Sequence, residues 1–174
     1  MKLPNMLPKR LSPAPCLLAL AMGITGPVAL AEQASGDRSE LVLVGGINNL
    51  RHRDHQDYEG VQARLGASWH GIHPYVQAVV SGHGSDYAGG GLSYSIDLPK
   101  SMKITLGSGP NWFRHDPLDP GLGSAIEFSS WIEVSGTIGN RKVGIDFSHV
   151  SNAHLGRINP GSEGLGVSVE LWKW

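Results

Sequence analysis

The feature that most narrows what this chain can fold into is a period-two alternation of apolar and polar residues that returns along its length. In the clearest case Val61, Ala63, Leu65, Ala67 and Trp69 point one way, and Gln62, Arg64, Ser68 and His70 the other. Ile126, Phe128, Ile132 and Val134 stand likewise against Glu127, Ser129 and Glu133, and Leu92, Tyr94, Ile96 and Leu98 against Ser93, Ser95 and Asp97. Side chains alternate between the two faces of a strand, so this is the pattern of sheet with one apolar face. Past the N-terminal region, the longest apolar run, Leu41 to Val44, is far below the ~20 residues of a spanning helix.

Eight alternating segments are predicted, at 39–49, 59–70, 73–82, 86–97, 101–110, 124–135, 141–151 and 163–174. Their lengths suit transmembrane strands of about 9–11 residues. The linkers alternate too. Connections near Gly71, Pro99 and Asn140 are tight; those at 50–58, 111–123 and 152–162 are long and polar, with a moderate one near Gly84. Short periplasmic turns and longer external loops are the plan of an outer-membrane barrel, and an even strand number puts both termini on the periplasmic side. The expected fold is therefore all-β, an eight-stranded antiparallel transmembrane β-barrel. A secreted β-sandwich also alternates, but here Arg64, Glu127, Glu133 and Asp146 are better read as an ion-pair network filling a narrow lumen. The terminal aromatic Trp174 is out of phase with Leu165, Val167, Val169 and Leu171, which a bulge or a frayed end would explain.

The N-terminus carries Lys2, Lys9 and Arg10, an apolar run from Leu17 to Ile24, and the small-residue end Ala29-Leu30-Ala31. This predicts a secretory signal peptide over 1–31, leaving 32–174 as the barrel. An anchor helix is disfavoured by Pro13, Pro15 and Pro27, and a lipoprotein signal by Pro15 before Cys16. Cys16 is the only cysteine, so a mature chain without it has no disulfide and no thiol nucleophile. A net charge of −1 carries no nucleic-acid footprint.

The chemistry gathers near the C-terminus. His149, Ser151 and Glu163 are the side-chain types of a base, a nucleophile and an orienting acid. Val143, Ile145 and Phe147 form the lipid-facing set of their strand, and alternation puts His149 and Ser151 on the same outward face. Glu163 shares parity with Leu165, Val167, Val169 and Leu171. Polar groups facing lipid are costly and call for a functional reason. With a periplasmic N-terminus all three lie near the external end of the barrel, at head-group level. A register with Ser151 opposite Glu163 makes His149 and Glu163 diagonal neighbours.

The stretches His149-Val150-Ser151-Asn152-Ala153 and Asn159-Pro160-Gly161-Ser162-Glu163 resemble the C-terminal signature of the lipid A 3-O-deacylase (PagL-type) family, over about residues 145–174. The resemblance implies an outer-membrane hydrolase that removes the ester-linked 3-hydroxyacyl chain at position 3 of lipid A, without metal or cofactor. It implies Ser151 as nucleophile, His149 as base and Glu163 as orienting acid. Asn159 would serve the oxyanion hole and Asn152 would shape the turn after the nucleophile, with backbone N–H groups near Ala153 and His154 as a second donor. Lipopolysaccharide of the outer leaflet is the implied partner, and a homodimer is left open. The alternatives are a non-enzymatic small barrel used for adhesion or interaction, and a lipid A acyltransferase or phospholipase.

Other clusters have blander readings. His52 and His55 with Asp54 and Asp57 suggest a metal, but their spacing suits a helix better than a loop, and a solvated loop is preferred. Arg51 and Arg53 are candidates for lipopolysaccharide phosphates. Trp112 and Phe113, in a loop running to Pro117 with Arg114, His115 and Asp116, are expected in the interfacial aromatic belt, with a part in covering the acyl chain as the alternative. No Gly-x-Ser-x-Gly elbow occurs.

Overall fold

The computed structural model describes residues 38–51, 55–82, 86–114 and 122–174. The expected signal peptide over 1–31 lies outside them, as do His52, Arg53, Asp54, Gly84 and His115 through Pro117. The described chain forms eight strands: β1 (Glu40–Asn48), β2 (Gln56–Arg64), β3 (Ile72–Ser81), β4 (Asp86–Leu98), β5 (Met102–Arg114), β6 (Ile126–Ile138), β7 (Arg141–Ser151) and β8 (Ser162–Lys173). Each pairs antiparallel with its sequence neighbour and β8 returns to β1, closing the barrel.

The alternation decides which way each strand faces. Leu106, Ile132, Ile145, Phe147, Leu165 and Val167 are exposed on the outer wall. Arg64, Gln62, Gln77, Asn111, Ser129, Glu133 and Asp146 are buried inside. The guanidinium of Arg64 donates to both oxygens of Glu133, at 3.0 and 2.7 Å, and twice to Gln62 Oε1. It also lies 4.7 Å from the centre of the Trp131 ring. Gln62 donates to Gln77, which donates to Asn111 and Ser129, and Tyr58 donates to Asp146 at 3.0 Å. Gly107 makes room for this plug, since a Cβ there would stand 2.3 Å from the Trp131 indole. Of the four expected lumenal charges, Arg64 and Glu133 thus share one network, and Asp146 is held separately by Tyr58. Glu127 joins neither: its Oε1 accepts from the Ser124 N–H at 3.2 Å, and its buried Oε2 has no partner among the described residues.

Several boundaries differ from expectation for local reasons. β2 ends at Arg64 rather than near residue 70. Leu65 still bonds to Pro74, but the chain then bends, and Trp69 and Ile72 exchange backbone bonds around His70 and Gly71, both at positive φ. Two consecutive positive-φ residues make the primed turn that matches strand twist, so an alternation that runs on to Trp69 hides a hairpin end. β5 continues past Pro110 to Arg114. The missing proline N–H leaves its mark on one side, where the β4–β5 ladder is interrupted at Gly90 and Gly91. Consequently Asn111 through Arg114 are strand, not loop. Trp112 is outward and exposed, whereas Phe113 is buried inside and stacked on Tyr87 at 6.2 Å, which corrects its expected place in the aromatic belt. At the C-terminus the register between β1 and β8 shifts at Leu41/Val42, with Leu41 opposite Trp172 and Val42 opposite Glu170. The extra residue, Leu171, moves Trp172 into the outward phase of Val169, and Trp174 bonds back to Ser39.

Candidate active site

β7 and β8 carry the site at the barrel end that bears the longer loops. His149 of β7 lies directly opposite Glu163 of β8, not diagonal to it. The register is therefore two residues away from the one that sets Ser151 against Glu163. The closer pairing brings His149 Nδ1 to 3.4 Å from Glu163 Oε1. Glu163 is nearly covered, with its side chain 9% exposed, while His149 remains 43% exposed on the outer wall. Ser151 is the last residue of β7, opposite Phe128 of β6, on the same face as His149 and half-buried. The carboxylate thus addresses Nδ1 and leaves Nε2 for another partner.

The return chain is shaped to this ring. Gly161 has φ +66°, and a Cβ there would meet His149 Cε1 at 3.0 Å. Both the backbone angle and the clearance favour glycine. On the other side Arg51 reaches from the β1–β2 connection to Glu163 Oε1 at 3.0 Å, and the Leu50 N–H donates to the Glu163 carbonyl. Arg51, expected at lipopolysaccharide phosphates, instead shares the oxygen that faces His149. Its side chain is 74% exposed, so the pair is screened on one side.

The turn after Ser151 is built around Asn152, which is fully buried. Its Nδ2 donates to the carbonyls of Leu122 at 2.8 Å and Ile158 at 2.7 Å, its Oδ1 accepts from the His154 N–H, and its own N–H donates to Asn159 Oδ1 at 3.0 Å. One side chain therefore ties the β5–β6 connection to both limbs of the β7–β8 loop. Ala153 and His154 at φ 52° and 64° turn the chain out of the strand. Because the His154 N–H is engaged within this turn, Ala153 is the remaining backbone candidate for a second oxyanion donor. Asn159 is anchored through its oxygen, and its Nδ2 lies 3.3 Å from His154 Nδ1 with a second hydrogen left for another acceptor. Asn152→Ala is expected to leave two carbonyls and an N–H unpaired, at about 1–3 kcal/mol each where they stay buried. It should loosen the loop and lower turnover on the order of 100-fold while the barrel still forms; loop proteolysis beside a kinetic assay checks this.

The site lies on the outer wall. Two cavities of the described structure lie inside the barrel: a small one around Arg64, Trp131 and Asp146, and a wide vestibule at the opposite end lined by Glu40, Lys103, Arg141, Lys142 and Lys173. Neither includes His149, Ser151 or Glu163. Among the described residues no three His, Cys, Asp or Glu side chains gather as metal ligands, and His52 and Asp54 of the first-loop cluster are outside those residues.

Sequence reasoning did not find the Arg51 contact or the part played by Leu122, because these come from other loops. It also passed over Ser130, which sits between Phe128 and Ile132 on the outward face and directly opposite His149. That interruption of an apolar phase was the available signal.

Solved structures similar to this chain include two barrels. The crystal structure of the outer membrane enzyme PagL aligns with a TM-score of 0.53 at 20% identity, covering 76% of this chain and 97% of that one. The crystal structure of Neisserial surface protein A (NspA) aligns with a TM-score of 0.54 at 14% identity, covering 78% and 96%. These establish the fold, that of an outer-membrane β-barrel, and do not choose between an enzyme and a surface protein. No curated protein matches significantly. The family model described as lipid A 3-O-deacylase (PagL) matches residues 46–172, which include His149, Ser151, Asn152, Asn159 and Glu163. A match over that much of the barrel places this chain in the lipid A 3-O-deacylase (PagL) family.

Proposed function

We propose that this protein is an outer-membrane carboxylic ester hydrolase that removes the ester-linked 3-hydroxyacyl chain at position 3 of lipid A, with its site toward the outer leaflet. The observation that carries the reading is the placement of His149 against Glu163 on the lipid-facing wall, with Ser151 two residues along the same face. Ionisable groups on that wall are unfavourable unless used, and a water-soluble substrate would have no need of them there. The substrate is itself a component of the leaflet that the wall faces, so it reaches the site by diffusing within the membrane.

In this mechanism Glu163 holds Nδ1 protonated, so Nε2 of His149 is the base. Ser151 Oγ attacks the ester carbonyl as its proton passes to Nε2. The oxyanion of the tetrahedral intermediate accepts from Asn159 Nδ2, and the Ala153 N–H is the second donor. Collapse expels the sugar 3-oxygen, which takes the proton from Nε2 and leaves an acyl ester on Ser151. Water then attacks this ester, again with His149 as base, and releases the 3-hydroxy fatty acid. Asn152 fixes the turn that carries these donors. The steps balance without metal, cofactor or redox partner.

Mass spectrometry of lipid A from a host expressing the chain tests the reading. The expected result is loss of one 3-hydroxyacyl mass. A gained acyl chain would point to a transferase and loss of phospholipid to a phospholipase. Unchanged lipids beside a folded barrel would sink the deacylase reading for that lipid A.

A further inference from the structure

The pairing row that holds His149 and Glu163 continues across two more strands. Ser130 of β6 lies opposite His149, and Ser108 of β5 lies opposite Ser130. Four consecutive strands thus each place one polar residue side by side on the outer wall. Toward the loops this row is bordered by Pro110 and Phe128, and on its other side by Leu106, Ile132 and Phe147. Both serines are exposed on a wall that is otherwise apolar around them. Hydroxyls at such positions gain nothing from lipid chains, so their partners matter.

The hydrogen bonds have a direction. Ser108 Oγ donates to the Ser129 carbonyl at 3.1 Å. Its 2.9 Å contact with Ser130 Oγ must then be donated by Ser130, because a hydroxyl has one hydrogen. Ser130 Oγ is left facing outward with its lone pairs as acceptor. Ser130 and Ser151 are diagonal neighbours across the β6–β7 ladder, within reach of groups on one bound ligand.

We propose that Ser130, oriented by Ser108, accepts a hydrogen bond from the hydroxyl on C3 of the acyl chain being cleaved, and so selects 3-hydroxyacyl esters over plain acyl esters. The proposal rests on the reading in which Ser151 is the nucleophile. C3 lies two carbon–carbon bonds of about 1.5 Å each from the ester carbonyl. An ester whose carbonyl is seated at Ser151 and whose acyl chain leaves over β6 brings that hydroxyl to Ser130, the diagonal neighbour of Ser151. The rest of the acyl chain then runs over the apolar outer wall.

The test uses the full chain refolded in detergent and two glucosamine 3-O-esters of equal chain length, one with a 3-hydroxyl and one without. The native protein is expected to prefer the hydroxylated ester. Ser130→Ala should lose about fivefold more kcat/KM on the hydroxylated ester than on the plain one, the worth of one net hydrogen bond. Ser108→Ala should shift the ratio the same way by less. Equal losses on both esters would mean that Ser130 only supports His149, and an unchanged ratio would mean that the hydroxyl goes unread; either overturns the proposal. A native chain inert toward both esters would instead remove the deacylase reading and the proposal with it.

Discussion

Ser151→Ala is expected to cut kcat by at least about 1,000-fold while the barrel stays folded. The side chain ends β7, half-buried on the outer wall, and its loss removes one oxygen without opening the lumenal plug. His149→Ala should fall to a similar level, because a base without a nucleophile and a nucleophile without a base fail at the same step. The double variant should then be no worse than either single one, since the residues act as a unit. Glu163→Gln has a different signature: it keeps the shape but changes what faces Nδ1, so the wrong tautomer is favoured and turnover falls without a matching loss of binding. The measurement is hydrolysis by refolded protein, with heat-modifiable electrophoretic mobility as the check on folding. Activity of Ser151→Ala within tenfold of native would remove Ser151 from the mechanism.

How much of this was legible in the sequence follows from what alternation encodes. A period of two states which residues share a face, so the outward placement of His149 and Ser151 and the inward placement of Arg64, Glu133 and Asp146 could be read residue by residue. It does not state register. Ser151 and His149 have the same parity, and either could have stood opposite Glu163; the structure chooses His149. Nor does alternation state where a strand stops. It runs on through Leu65 and Trp69 although the chain has left β2, and only the positive φ of His70 and Gly71 fixes the turn. Pro110 misled in the opposite direction, because a proline removes one donor from one ladder and need not end a strand. The loop contacts were least legible. Nothing in the residues around Asn152 names Leu122 as its partner, 30 positions away, and nothing near Arg51 names Glu163. Such contacts depend on how loops fold over the barrel mouth, and a local pattern carries no information on that.

Arg64→Leu is expected to destabilise the barrel by about 3–5 kcal/mol and to leave the ester chemistry of the folded fraction nearly unchanged. Glu133 is fully buried, and both its oxygens rest on the Arg64 guanidinium. Removing the cation strands that carboxylate and also frees Gln62 Oε1 and the face of Trp131. Glu133→Leu alone strands the cation in the same way, whereas removing both charges in Arg64→Leu/Glu133→Leu should recover most of the loss, because two apolar side chains strand no charge. Urea unfolding in detergent or lipid, compared across the two single variants and the double, checks this; near-additive losses would show that the pair is not the unit that holds the lumen. The separation of effects follows from strand geometry. Along β7 the inward Asp146 faces the lumen and the outward His149 belongs to the proposed site, three residues apart and on opposite sides of one sheet. The lumenal bonds around Arg64 and Glu133 brace the wall from inside, and the wall can then carry ionisable groups that would otherwise have no reason to face lipid.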